Sequence, residues 1–351
     1  MNGSKLIKMN DSLTKRELIN LENINKCPIC SSSDFRQLWD SYDRMYKVSE
    51  QKFSYFTCLN CDAVFLKNRP LKSEIYKFYP ENYGPYHKEG YHYNSGNVSS
   101  GINIKNTFKK VFQKVIYKLN PIFNRTLPDN TSKIINEHYN RKIGGYFLDF
   151  GCGSDAFLNY ARNIGWKTIG MDFSEHAIEK VESGGHKAIL YSSEASWAEI
   201  EDDSLSFVRM NHVLEHLYNP LEVLQQLRRK LKTGGVLHIA IPNPAGISAS
   251  FYKDKWWGLD APRHIILYSP KALAKTLEEC GFSSYNIVHE FLTKDLARSI
   301  GFSKYEKGEV GFKEAISALD REDLQTLLNI PCRLAQKLGK ADRIHAFITK
   351  E

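Results

Sequence analysis

The sequence predicts an α/β protein: a Rossmann-like, doubly wound sheet of seven strands, preceded by a small cysteine-built domain. Three observations predict it. Strand-like and helix-like segments alternate from residue 146 onward, which implies a parallel sheet with helices on both faces. Leu148-Asp149-Phe150-Gly151-Cys152-Gly153 ends the first strand in a glycine turn. Gly170-Met171-Asp172-Phe173-Ser174 ends the second on a carboxylate about 20 residues later, the spacing at which such domains hold a ribose. Two C-x-x-C pairs, Cys27/Cys30 and Cys58/Cys61, precede these elements.

Residues 1–25 are polar and read as a frayed end. Residues 26–93 hold the cysteine pairs and a tyrosine-rich loop. Thiolates two residues apart turn toward one ion, and two such pairs complete a tetrahedral site, so Cys27, Cys30, Cys58 and Cys61 are expected to hold a structural Zn2+. A block this small buries little core and is expected to need its metal to fold. Tyr76, Tyr79, Tyr83, Tyr86, Tyr91 and Tyr93 follow, punctuated by Gly84, Pro85 and Gly90 as a loop. Flat faces with a polar tip suit stacking on sugar rings, covering a cleft, or packing between domains.

Residues 94–140 read as a basic helical linker. Phe108, Val111, Phe112, Val115, Ile116 and Leu119 recur at helical spacing beside Lys105, Lys109, Lys110, Lys114 and Lys118, predicting an amphipathic helix over 104–119. It either lies on an anionic membrane surface or packs its apolar face on the protein, the commoner fate. Over 141–351, strands are expected at 146–150, 167–171, 187–191, 205–210 and 235–241, with two late strands near 284–290 and 343–349. Helices are expected at 155–164, 175–183, 220–231 (closed by Gly234-Gly235) and about 312–339.

At 351 residues, 42% hydrophobic and 25% charged, the composition is that of a globular protein. A net charge of +8 does not by itself imply nucleic acid. No apolar run approaches a membrane span and Met1-Asn2-Gly3-Ser4-Lys5 lacks a signal-peptide core. A cytoplasmic protein is therefore expected, peripheral to the inner membrane face if 104–119 touches lipid. Seven cysteines, an odd number, argue against a disulfide framework.

The turn's wording narrows the ligand. A dinucleotide site needs G-x-G-x-x-G to set a pyrophosphate on a helix N-terminus. Here Ser154-Asp155-Ala156 follows Gly153. The added carboxylate repels an anion and tolerates a cationic sulfonium with an ammonium tail. Asp149 to Leu158, Gly170 to Ser174 and Asn211-His212-Val213-Leu214-Glu215-His216 resemble class I S-adenosylmethionine-dependent methyltransferases. Together with the cysteine pairs, Ala261-Pro262-Arg263-His264 and Leu338-Gly339-Lys340-Ala341-Asp342-Arg343, the chain from Cys27 onward is similar to zinc-ribbon-bearing methyltransferases of bacterial surface-polysaccharide and sugar-modification pathways.

That resemblance implies a sheet closed by an antiparallel pair of late strands and S-adenosyl-L-methionine as cofactor. It implies Gly151 to Gly153 under the methionine part, Asp149 near its ammonium, Asp172 on the ribose hydroxyls and Phe173 against adenine. Ser193 and Glu194 fall near the adenine amino group, and Asn211 and His212 at the methionine end. The implied acceptor is a saccharide, nucleotide-, lipid- or polymer-linked. Related sugar C-methyltransferases usually carry an E-H pair where this chain has Arg263-His264, which leans toward O-methylation of a sugar hydroxyl in capsule or lipopolysaccharide synthesis, with C-methylation of a nucleotide-linked keto sugar as the alternative.

A hydroxyl needs a base, and histidine suits that role near neutral pH. His216 and His264 are the candidates. His264 is preferred because it arrives on a separate aromatic loop with Trp256, Trp257 and Arg263, a segment suited to a saccharide pocket. The alternatives are that Glu215 and His216 brace the helix starting near Pro220, and that His264 is a packed loop residue. A ribosomal-RNA methyltransferase is disfavoured by the absence of N/D-P-P-Y/F after the fourth strand, so nucleic acid is not the expected partner. A non-catalytic scaffold is disfavoured by the presence of both Asp149 and Asp172.

Overall fold

The computed structural model describes residues 18–80, 130–140, 145–306 and 322–351. Leu21–Asn23 (β1) pairs with Asn68–Pro70 (β5), while Phe35–Ser41 (β2), Phe53–Cys58 (β3) and Val64–Leu66 (β4) form an antiparallel meander. Tyr146–Phe150 (β6), Lys167–Asp172 (β7), Lys187–Leu190 (β8), Leu205–Asn211 (β9) and Leu231–Pro242 (β10) are the parallel strands of a second sheet. Ile266–Leu267 (β11) lies outside that sheet. Ser284–Glu290 (β12) and Arg343–Thr349 (β13) complete it, in the order β8-β7-β6-β9-β10-β13-β12. β13 runs antiparallel to both neighbours, in a register from Ser284↔Thr349 to Glu290↔Arg343 against β12.

The apolar runs explain this arrangement. Every β9 residue before Asn211 is buried, as befits a central strand covered on both faces. The described helices are Thr131–Tyr139 (α1), Ala156–Asn163 (α2), Glu175–Ser183 (α3), Pro220–Lys230 (α4), Ile247–Tyr252 (α5), Pro270–Glu279 (α6), Thr293–Glu306 (α7) and Glu322–Lys337 (α8). Ser174 caps α3 and Ser269 caps α6, each hydroxyl accepting from a backbone N–H three residues on. α4 begins with Pro220 and ends in Arg228, Arg229 and Lys230, which complements the helix dipole.

Two expectations are corrected. Helix α4 stops at Lys230, because Leu231 already pairs with Leu205; Gly234 and Gly235 belong to the bulge between Leu231 and Val236. Gly234 sits at φ +76, and a Cβ on Gly235 would lie 2.9 Å from the Leu205 carbonyl oxygen. The cysteine domain is also not a separate block. β11, far along the chain, adds to its sheet through Ile266↔Phe65 and Leu267↔Val64. One continuous core runs from Cys27, Phe53 and Phe65 to Leu148, Val208 and Ile239. A metal at the cysteines would therefore not be the module's sole source of packing.

Helices α1, α5, α6 and α7 have no counterpart among the helices the sequence predicts. The expected helix over 104–119, Tyr83, Tyr86, Tyr91 and Tyr93, and residues 1–17 lie outside the described residues, as do 312–321 of the helix expected over 312–339. Among the described residues no helix is long and apolar enough to cross a membrane.

Candidate active site

The chain leaves β6 toward β7 and β8, then returns to β9 on the other side of β6. In open α/β sheets a ligand crevice opens at such a switch point, beyond the carboxyl ends of the strands. Here that place is a cavity of ≈ 820 Å³.

The glycine turn forms one side. Gly151 and Gly153 lie at φ +73 and +63, and a Cβ on Gly151 would come within 2.4 Å of Val213 Cγ2. Only glycine satisfies both the angle and the space. Asp172 is buried at the tip of β7, with Oδ2 accepting from Gly153 N and Oδ1 from Ser174 N, both at 2.9 Å. Burial raises its carboxyl above the usual range, opposed by those backbone N–H groups. Phe173 is 55% exposed at the cavity wall and meets Tyr79 edge-on, ring centres 5.8 Å apart. Glu194 also lines the cavity, its Oε1 accepting from the Tyr191 hydroxyl at 3.3 Å.

Asp149 departs from its expected place. It is fully buried behind the wall, and both its oxygens accept from Arg209 Nη1, at 2.8 and 3.0 Å. The two residues are register partners on β6 and β9. Arg209 lines the cavity, with its guanidinium 3.9 Å over the Phe157 ring. Sequence reasoning passed over Arg209, although a charge inside the apolar run Phe207-Val208-Arg209-Met210 was a usable signal.

Asn211, His212, His216 and His264 line the opposite side. His212 takes φ +57, its backbone N–H donates to Ala240 O at 2.8 Å, and its Nδ1 is hydrogen-bonded to Glu215 Oε1 at 3.1 Å. Glu215 is fully buried; burial pushes its carboxyl up to about 8. His264 Nδ1 donates to Gly258 O at 2.8 Å, and His264 Nε2 stands 3.8 Å from Glu215 Oε1. His216 Nδ1 donates to Arg263 O at 2.9 Å and meets the Tyr79 hydroxyl at 3.1 Å. The two imidazoles are perpendicular neighbours, 4.7 Å between centres. Burial holds all three histidines below their ordinary range, His216 at about 3, so each is neutral near pH 7. No side chain caps the start of α4, so Glu215 and His216 do not brace that helix by capping. Glu215, read from sequence only as a brace, is the group that links His212 to His264.

Arg263 is a second correction. Its guanidinium is fully buried and absent from the wall. Nε and Nη2 donate to Asp260 at 3.0 and 2.6 Å, Nη2 also to Asp43 at 3.0 Å, and Nη1 to Phe78 O at 3.2 Å. It ties the aromatic loop to the cysteine module and is not positioned to meet a sugar.

The four cysteines converge. Cys27, Cys30, Cys58 and Cys61 bring their Sγ atoms within 4.8 Å of one another, at 3.5 Å for Cys27–Cys61 and 3.6 Å for Cys30–Cys58. Sulfurs about 2.3 Å from a tetrahedral zinc lie about 3.8 Å apart. Each pair forms the same knuckle: Ser31 N donates to Cys27 O and Asp62 N to Cys58 O, both at 3.0 Å, with Ser31 and Asp62 at φ 58 and 62. The donor set fits zinc and leaves no open coordination position.

Residues 113–286 match a family described as a methyltransferase domain. The chain is 27% identical over 203 residues to a demethylmenaquinone methyltransferase of Bacillus velezensis, covering 50% of this chain and 84% of that protein. It is 24% identical over 127 residues to a ubiquinone biosynthesis O-methyltransferase of Vibrio cholerae, covering 35% and 49%. Most of the curated relatives it matches are spanned over less than two thirds of their length. A solved S-adenosylmethionine-dependent methyltransferase from Archaeoglobus fulgidus overlays 70% of this chain and 100% of its own, at 20% identity and a TM-score of 0.42. The parallel sheet with its one reversed strand agrees with the family match, and the chain therefore carries a class I S-adenosylmethionine-dependent methyltransferase domain.

Proposed function

We propose that the chain transfers the methyl group of S-adenosylmethionine to a sugar hydroxyl in surface-polysaccharide synthesis. The observation that carries this is the pairing of His216 and His264, neutral and adjacent, in the same cavity as the glycine turn and Asp172. In this reading Asp172 holds the ribose, Phe173 and Glu194 the adenine, and Arg209 the methionine carboxylate. Arg209 replaces Asp149 as the residue facing the methionine tail, because Asp149 is spent on Arg209 itself. His264, with His216 and Tyr79 beside it, receives the acceptor's proton as the oxygen attacks the methyl carbon and the carbon–sulfur bond breaks. Tyr76, Tyr79, Trp256 and Trp257 line the cavity and offer flat faces to a sugar ring. Zinc in the four-cysteine site has a structural role.

A second reading is an aromatic hydroxyl acceptor, favoured by the names of the quinone-pathway relatives. The same histidines and aromatic faces would serve it. Turnover of nucleotide-linked sugars against dihydroxyaromatic acceptors, with wild type, His264→Ala and His216→Ala, separates the two. Loss of the base lowers turnover roughly 10²–10⁴-fold with cofactor affinity retained. Near-normal turnover in both variants would rule out histidine-assisted transfer. Methylation at carbon, or of RNA alone, would overturn the hydroxyl acceptor.

A further inference from the structure

We infer that Glu215, His216 and His264 form a binding site for a divalent first-row cation in the wall of the methyl-transfer cavity, separate from the four-cysteine site. One ligand atom from each of the three lies within 4.8 Å of the other two. The arrangement has the features that metal-binding histidines show. A carbonyl oxygen can only accept, so the contacts of His264 Nδ1 with Gly258 O and of His216 Nδ1 with Arg263 O place the proton on Nδ1 in both rings. Each neutral imidazole then carries its lone pair on Nε2. Fixing the tautomer and ring orientation through the other nitrogen is how proteins prepare a histidine ligand.

The carboxylate supplies an independent observation. Glu215 is fully buried, and its Oε2 has no hydrogen-bond partner among the described residues. Its Oε1 is hydrogen-bonded to His212 Nδ1 at 3.1 Å, which orients the carboxyl and leaves Oε2 over. A buried carboxylate oxygen without a donor costs free energy unless a cation or proton meets it. His264 Nε2 already lies 3.8 Å from Glu215 Oε1. Metal–nitrogen and metal–oxygen bonds of about 2.1 Å place ligand atoms about 3.0–3.4 Å apart, so the three close inward slightly on an ion. Two imidazoles and one carboxylate form a nitrogen–oxygen set with positions left open, suited to manganese, iron, cobalt or zinc.

The consequence for chemistry deepens the methyl-transfer reading and rests on it; the binding does not. His216 and His264 line the cavity, so an open position of the ion faces the acceptor. A hydroxyl bound there loses its proton more readily, and because the ion holds both imidazole lone pairs that proton passes to a water of the open cavity and not to His264 itself. Its oxygen then forms the bond to the methyl carbon while the carbon–sulfur pair of electrons returns to sulfur. The two histidines would thus act on the acceptor's proton through the cation they hold.

Manganese(II) is the probe, because this hard ion avoids the thiolates of the four-cysteine site. The full chain, with that site filled, is titrated and free manganese is read by electron paramagnetic resonance. One bound ion per chain is expected, weakened at least about 100-fold in Glu215→Gln and His264→Asn, since even outer partners of a metal site cost 10–100-fold. S-adenosylhomocysteine affinity and the melting temperature, measured on both variants, show that cofactor pocket and fold persist. Pulsed resonance on the wild type is expected to detect nitrogen couplings from two directly bound imidazoles, a result independent of any variant. No bound manganese at millimolar concentration, no imidazole coupling, or undiminished binding in folded variants overturns the inference. Retained S-adenosylhomocysteine binding in those cases leaves the methyltransferase reading standing.

Discussion

Arg263→Ala tests whether the aromatic loop's cation serves structure or substrate. The wild-type guanidinium is fully buried and bonded to Asp260, Asp43 and Phe78 O, with the Tyr46 ring 4.8 Å beneath it. Removing it leaves Asp43 buried, supported by backbone N–H donors from Tyr46 at 3.2 Å and Val48 at 2.9 Å. Breaking a buried pair by deleting one partner costs about 3–5 kcal/mol, against a total stability of about 5–15 kcal/mol for a domain. Urea unfolding should show that loss. Asp43→Asn in the same background should recover part of it, because the two sites are coupled through contact. Acceptor KM, measured on the folded fraction, should change little. Unchanged stability with a raised acceptor KM would refute the reasoning and return Arg263 to the substrate.

Other outcomes follow from the same geometry. Asp172→Ala should weaken S-adenosylhomocysteine binding by about 1.5–3 kcal/mol, roughly 10- to 150-fold; unchanged affinity by calorimetry would displace the ribose from that carboxylate. Gly151→Ala must overcome both φ +73 and the 2.4 Å approach to Val213 Cγ2. A loss of about 1–3 kcal/mol is expected, with partial recovery when Val213→Ala is added; no effect on melting or cofactor affinity would mean the turn is looser than drawn. Chelating the four-cysteine metal should lower one cooperative melting transition for the described fold, since the core is shared. Independent unfolding of 26–70, with the seven-stranded sheet's transition unmoved, would contradict that sharing.

The five parallel strands of the main sheet were legible because buried parallel strands read as short apolar runs and the glycines punctuate them; the antiparallel pairing of β12 with β13 came from the family resemblance. Asp172, Gly151 and His212 were legible because they follow strand ends, where chain order alone places them; His264 was legible from the aromatic, glycine- and proline-kinked loop that carries it. Arg209 and Asp149 meet across β6 and β9, 60 residues apart in sequence, and local pattern cannot report a register. Gly234-Gly235 carries the same signal in a helix stop and a strand bulge; only the pairing of Leu231 with Leu205 decides between them. Arg263 in an aromatic segment suggested a pocket because its partner Asp43 comes from the other end of the chain. The two residues of β11 are too few to show any period.

That short strand has a consequence for chimeras and for descent. Ile266 and Leu267 complete the cysteine module's sheet, and the loop just before them supplies Trp256, Trp257 and His264 to the cavity. The module itself supplies Tyr76 and Tyr79 to the same cavity. A splice placed between residues 80 and 140 would therefore divide one cavity wall between two parents, however well each parent folds. The transferable unit is interleaved: residues 18–80 travel with 256–267, while the cofactor side, from the glycine turn to Asn211, can be inherited from another source. Paired exchange of those two segments should carry acceptor preference with it, and exchange of either one alone should abolish turnover before it alters choice.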